Sequence, residues 1–291
     1  MKLIRKYIIK IGNKLLFIFP FLFLQRKSFR KSRLTIYTLH STSKKYFSEY
    51  ISLLDKIDKT ENFINPNQLE DFFTSKNNNQ SYSLLTLDDG FEDNYLFAKE
   101  VLGRLNIKAI FFIIPKFSIN KGSKTKFDFL NALYPDIDPS LVPNAENIFK
   151  PLSVDKIIEI KNLGHTIGMH GFKHENFAKL SAKEIRKSIN QGKSFFDELG
   201  IKVNHFAYPF GGKKSFNIES NKIIKEYFDY IHLGIRGFNF IKDKGGDNKF
   251  LKRHPLSNHG KDLLYFPISY NEIRFFTYNR ISLFINLFYK N

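Results

Sequence analysis

Short apolar runs alternate with helically spaced segments along most of this chain, and that alternation restricts the fold more than any other feature. LTIYTLH (Leu34 to His40) reads as a short buried strand. Lys45 to Lys59 follows with apolar residues at helical spacing: Phe47, Tyr50, Ile51, Leu54 and Ile57. NPNQLEDFFTS opens a short helix, with Pro66 early in it. The order then repeats as strand SLLTL, helix DNYLFAKEVLGRL, strand KAIFFII, helix VDKIIEIKNLG, strand HTIGMH, helix SAKEIRKSINQGKSFFDELG, strand VNHFAYP and helix NIESNKIIKEYF. Two further strands, YIHLGI and KFLKRHPL, end the series. This pattern predicts an α/β fold of parallel strands joined by right-handed crossovers. With about seven strands, a (β/α) barrel and an open doubly wound sheet both satisfy it. No glycine-rich phosphate loop follows the first strand, which weighs against a dinucleotide-binding sheet. A chain of 291 residues with 42% hydrophobic content suits one large domain.

One segment breaks the rhythm. Lys116 to Phe149 is long for a strand-to-helix connection and leaves the strand on the face where such folds do chemistry. It is expected to form a lid or wall for substrate. The two ends of the chain also differ from the middle. Residues 1–33 join an apolar stretch, Leu15 to Leu24, to basic flanks. That stretch is too short to span a bilayer, and no small-residue cleavage site follows it. The segment reads as an apolar and basic helix lying on an anionic membrane surface, with an uncleaved signal-anchor or an ordinary packed helix as alternatives. Residues 261–291 read as an aromatic-rich helical extension.

The formal charge of +18 favours anionic partners such as nucleic acid, anionic lipid or an acidic glycan. Basic residues are not interleaved with aromatics in any recognised nucleic-acid module, so nucleic acid is not expected. With no Cys, the chain has no disulfide, no thiolate metal site and no Cys nucleophile.

Three strand ends carry chemistry. Asp88 and Asp89, in TLDDG, are adjacent carboxylates that repel each other when partly desolvated. His170 and His174, in HGFKH, lie four apart; if the segment is helical, both imidazoles project from one face. Two His and one carboxylate make a three-ligand site with positions left open, the form of a catalytic metal site. The Asp pair then has a reason. One carboxylate ligates the metal, which relieves the repulsion and lowers the pKa of a bound water, and the other takes the water's proton. HFAYPFGG (His205 to Gly212) ends a strand in a turn able to present backbone N–H groups to an oxyanion.

TLDDG (Thr86 to Gly90), HGFKH (His170 to His174) and AYPFG (Ala207 to Gly211) stand in the order and spacing of the polysaccharide deacetylase family, carbohydrate esterase family 4, and the chain resembles it from about residue 34 to 256. The resemblance implies a distorted (β/α) barrel over residues 34–260, binding one divalent metal, usually zinc. It implies hydrolysis of an N-acyl group, usually N-acetyl, from a sugar. By the same resemblance Asp88 is the catalytic base, Asp89, His170 and His174 are the metal ligands, the Phe210 N–H is an oxyanion donor, and Thr86 and Gly90 shape the loop.

Two departures from the family pattern matter. The family's third motif begins with an Arg that orients the catalytic Asp; here Ala207 stands there, and Arg253 is the candidate substitute. The family's late Leu-x-His, source of the proton for the leaving amine, has no clean match. His254, His259 and His40 are the candidates, and His254 the first choice. The expected function is a metal-dependent deacetylase acting on a cell-surface or lipid-linked glycan, associated with the membrane of a bacterial cell envelope. Peptidoglycan or a small non-sugar amide is an alternative substrate, and a non-catalytic membrane- or polyanion-binding barrel is the rival from another class.

Overall fold

The computed structural model describes residues 32–75, 79–119, 123–135, 150–241 and 249–256. The expected helices in 1–33 and 261–291 lie outside those residues, apart from residues 32 and 33. Ten strands form one sheet among the described residues: β1 Arg33–Leu39, β2 Asn62–Phe63, β3 Ser81–Leu87, β4 Ala109–Ile113, β5 Thr166–Met169, β6 His205–Ala207, β7 Tyr230–Leu233, β8 Asn239–Phe240, β9 Phe250–Lys252 and β10 His254–Pro255. The order β10-β1-β3-β4-β5-β6-β7-β9 is parallel throughout. β2 adds to β3, and β8 adds antiparallel to β1.

β9 and β10 are separated by Arg253 alone, so one stretch of chain pairs with β7 through its first half and with β1 through its second. That closes the sheet into a (β/α) barrel. The barrel, not the open sheet, is the outcome. Asn239 secures the seam: its side-chain amide donates to the carbonyls of Leu34 in β1 and Lys252 in β9, and its oxygen accepts from the Lys252 N–H.

Alternation along the strands sorts two layers. Leu34, Ile36, Leu84, Ile110, Phe112, Ala207 and Leu251 form one buried cluster inside the barrel. Leu69, Phe72 and Phe73 of the helix Leu69–Thr74 join it. Their neighbours Tyr37, Leu85, Phe111 and Ile113 face outward onto helix residues such as Phe97, Ile157, Ile160, Ile189 and Phe196. Each fully buried Leu or Phe contributes about 1.5–3 kcal/mol. Gly168 makes the interior packing feasible, because a Cβ there would lie 2.6 Å from the Phe112 ring.

The covering helices follow the predicted segments. Phe47–Thr60, Val154–Asn162, Ala182–Glu198 and Ile218–Tyr227 are four of them. Ser181 and Glu184 form a capping box that starts the longest. The segment after β4, expected to form a lid or wall for substrate, contains two helices, Pro115–Ile119 and Ser123–Leu133. Among the described residues, no helix is long and apolar enough to cross a membrane.

Candidate metal and catalytic site

All the chemistry-bearing strand ends meet at the C-terminal rim of the barrel. β3 ends at Leu87, and the chain turns at once, with φ 72° at Asp89 and 69° at Gly90. β5 ends at Met169, and HGFKH is a turn rather than the helix the i, i+4 spacing allows. Gly171 and His174 have φ 70° and 63° there, and the turn brings the His170 and His174 ring centroids within 5.1 Å. Phe210, after β6, has φ 62°. Asn79, Asp89, Asn106, His174 and Phe210 are the left-handed non-glycine residues among those described; the type of the first four tolerates this conformation, and that of Phe210 does not. Backbone strain of this kind gathers where a site requires it.

Asp89, His170 and His174 offer one ligand atom each, all within 4.8 Å of one another, and all three are buried. Asp89 Oδ1 lies 3.3 Å from His170 Nε2 and 3.6 Å from His174 Nε2. The two outer ring nitrogens are fixed from behind. His170 Nδ1 is 2.8 Å from the Ala207 carbonyl, and His174 Nδ1 is 2.8 Å from the Ala132 carbonyl. A carbonyl only accepts, so both Nδ1 atoms carry hydrogen, and each ring in its neutral form presents an Nε2 lone pair toward Asp89. This donor set, two imidazole nitrogens and a carboxylate oxygen with oriented tautomers, fits a divalent cation.

The electrostatics agree. Burial alone would raise the Asp89 carboxyl, but the His170 hydrogen bond and the charges of His40, His174 and His170 hold it well below the carboxylate range. Burial lowers His174 to about 4 against the pull of Asp89, so its ring is neutral at pH 7. His170 behaves oppositely: burial pushes it down, yet Asp89 and Asp88 raise it above the ordinary histidine value. A proton on His170 then meets Asp89 in the place where a cation would.

Asp88 is held separately. Arg253 Nη1 donates to Asp88 Oδ1 at 2.7 Å and to Thr86 Oγ1 at 3.3 Å, while its Nε donates to the Leu233 carbonyl at 3.3 Å. Its guanidinium carbon sits 5.4 Å from the Phe112 ring centroid. Burial raises the Asp88 carboxyl; Arg253, His170 and His40 outweigh it and keep the carboxyl below its usual value. Arg253, the candidate for orienting Asp88, makes these contacts from the barrel's closing strand and not from β6. Thr86, expected from the resemblance only to shape the loop, donates to the Tyr37 carbonyl, pairs with Thr38 and accepts from Arg253.

His254 is not in this group. Arg253 points inward, so the next residue along the strand takes the outer face. There its ring packs 5.6 Å from Phe238, and burial, then Arg236, lower it to about 4. That placement corrects His254 as the expected proton donor. His259 lies outside the described residues. His40, half-buried just past β1, is the candidate whose loop adjoins the Asp88 turn: the Asp88 N–H donates to the Leu39 carbonyl at 2.9 Å, and Asn94 Nδ2 donates to the His40 carbonyl at 2.8 Å. Phe210 is 47% exposed, with its ring centroid 4.5 Å from that of His174. The segment expected to form a wall brings the Ala132 carbonyl behind His174, and burial, then Asp89, raise the Tyr134 hydroxyl. Residues 136–149 of it lie outside the described residues.

No curated protein sequence matches the chain. Among solved structures, IcaB from Ammonifex degensii superposes with a TM-score of 0.60 at 20% identity, covering 80% of this chain and 95% of that one. The Streptococcus pyogenes deacetylase PplD, solved in complex with acetate, gives 0.59 at 16% identity, covering 80% and 97%. A de-N-acetylase from Aggregatibacter actinomycetemcomitans gives 0.59 at 14% identity, covering 82% and 98%. These likenesses establish the fold. The family model described as polysaccharide deacetylase matches residues 75–227, a span that holds Asp88, Asp89, His170, His174 and Phe210 but neither His40 nor Arg253. With more than half its length inside that match, the chain belongs to the polysaccharide deacetylase family.

Proposed function

We propose that this chain hydrolyses an N-acyl group, usually acetyl, from a sugar of a cell-surface or lipid-linked glycan. One observation carries the reading: at the rim of a polysaccharide deacetylase barrel, Asp89, His170 and His174 share a single focus beside an Asp88 clamped by Arg253. Zinc is the ion proposed, since two histidines and a carboxylate with open positions form its usual catalytic set. When bound, it supplies Lewis acidity to the acyl carbonyl and acidity to a water.

The protein's own groups divide the remaining work. Asp88, held ionised by Arg253, takes a proton from the attacking water. The water oxygen bonds to the acyl carbon, and the Phe210 N–H donates to the oxygen that becomes negative. The carbon–nitrogen bond then breaks. His40 delivers a proton to the departing amine, leaving acetate and a free amino sugar. A de-N-acetylase and an acetate complex among the similar structures support the amide and the acetyl group. The basic and apolar residues 1–33 support an anionic membrane surface as partner and a lipid-linked or surface substrate.

The test is acetate release from N-acetylglucosamine oligosaccharides by wild type, chelated wild type and Asp88→Asn. The reading expects chelation to abolish turnover and zinc to restore it. Asp88→Asn is expected to keep the ion and lose roughly a hundred- to ten-thousandfold in kcat. Full activity in either case contradicts it.

A further inference from the structure

Asp93 and Asn94 end the same stretch that carries Asp88 and Asp89, and the mechanism above does not use them. Both side chains reach back across the rim to residues 40–42, which belong to no helix or strand. Asn94 Nδ2 donates to the His40 carbonyl at 2.8 Å and to Thr42 Oγ1 at 3.0 Å. Asp93 Oδ2 accepts from Ser41 Oγ at 2.6 Å and from the Thr42 N–H at 2.9 Å. The Asp88 N–H donates to the Leu39 carbonyl at 2.9 Å, one residue earlier. Every residue from 39 to 42 is thus tied to the segment from Asp88 to Asn94.

These tethers are not simple space-filling. Asn94 is fully buried, and its Oδ1 has no hydrogen-bond partner among the described residues. An unmet buried acceptor costs free energy that a leucine of similar size would avoid. The carboxamide stands there with its donor end aimed at the loop, because a carbonyl can only accept. Asp93 contributes the complementary acceptor, so the pair grips both kinds of group on one short loop.

We propose that Asp93 and Asn94 are positioning residues: they hold the loop 40–42 against the Asp88–Asp89 turn, and so set the place of His40 relative to both carboxylates. The inference rests on the function proposed above, in which His40 protonates the leaving amine. It also gives a reason for the longer motif DDGFEDN: the turn carries the base and a metal ligand at one end, and the clamp for the proton donor at the other.

The experiment compares an amide with an ester whose leaving group needs no proton. Wild type, His40→Ala, Asn94→Leu, Thr42→Val and Thr42→Ser are assayed, zinc-loaded, on an N-acetylglucosamine oligosaccharide and on 4-nitrophenyl acetate. Asn94→Leu is expected to lower kcat on the amide roughly ten- to hundredfold with KM little changed, while turnover of the ester stays within about twofold. Thr42→Val, which removes the Asn94 acceptor, moves the same way by less, and Thr42→Ser restores the amide rate. If Asn94→Leu fails to fold, the two Thr42 variants decide. Equal losses on amide and ester, or no loss in Asn94→Leu and Thr42→Val where His40→Ala loses the amide reaction, overturn the clamp and leave the function standing. A wild-type chain inactive on the amide overturns the function itself, and the clamp with it.

Discussion

Among the described residues, two pairs of buried histidines lie inside this barrel, and only one is arranged to hold a cation. His170 and His174 at the rim have ring centroids 5.1 Å apart; His205 and His232, deeper in the barrel, are 5.4 Å apart. Distance does not separate them. The rim rings each spend Nδ1 on a carbonyl and turn Nε2 toward Asp89. The inner rings spend their nitrogens on each other, His205 Nδ1 to His232 Nε2 at 3.2 Å, with Tyr230 stacked on one and Phe112 against the other. Burial pushes His205 down to about 3, and His232 well below its ordinary value. The rim pair faces a carboxylate held ionised, whereas the charge next to His232 is the cationic Arg253. A metal site thus needs the counter-charge and the tautomer, not two imidazoles alone.

The comparison breaks most sharply at Asp89. Asp89→Ala leaves the rim with two histidines and no first-hand carboxylate; zinc content and amide turnover are expected to fall together, the rate by roughly a thousandfold or more. His205→Gln, by contrast, should leave zinc stoichiometry unchanged. Mass spectrometry of the native protein and acetate release check both.

The next effect falls on Asp88. Arg253→Met leaves a buried carboxylate without its partner, a change that costs about 3–5 kcal/mol. Urea unfolding reads that loss, and kcat should fall while zinc stays bound. Arg253→Lys should recover part of the stability but less of the rate, since one ammonium cannot replace the guanidinium's contacts to Asp88, Thr86 and the Leu233 carbonyl together.

How much of this was readable beforehand differs between the strands and the site's supports. The alternation located the barrel strands, because parallel strands buried on both faces write near-continuous apolar runs such as AIFFI. The adjacent aspartates and the spaced histidines marked the candidate metal site for the same reason: few structural roles call for such residues together at strand ends. Arg253 could be named but not placed, since its partner lies 165 residues away. His254 misled because the pattern gives a strand's residues without saying which faces inward. Ala132 could not be read at all: its carbonyl, not its side chain, fixes His174, and backbone groups leave no trace in the letters. The short strands β2 and β8 are two residues each, below the length at which periodicity exists.

The smallest effect sharpens the comparison from the inner side. His205 stays neutral in the fold down to about pH 3, while the unfolded chain takes up a proton near 6.5. The unfolded state therefore binds more protons in that window, and stability falls as pH drops through it. The double variant His205→Gln, His232→Gln should flatten that fall by up to about 1.4 kcal/mol per pH unit for each histidine. Urea unfolding of metal-free protein at pH 7 and pH 5 measures it.

The most direct measurement is the zinc content of the purified wild type beside Asp89→Ala. The account expects about one ion per wild-type chain and essentially none in the variant. A wild type that takes up no stoichiometric divalent ion, or a variant that keeps its ion, contradicts it.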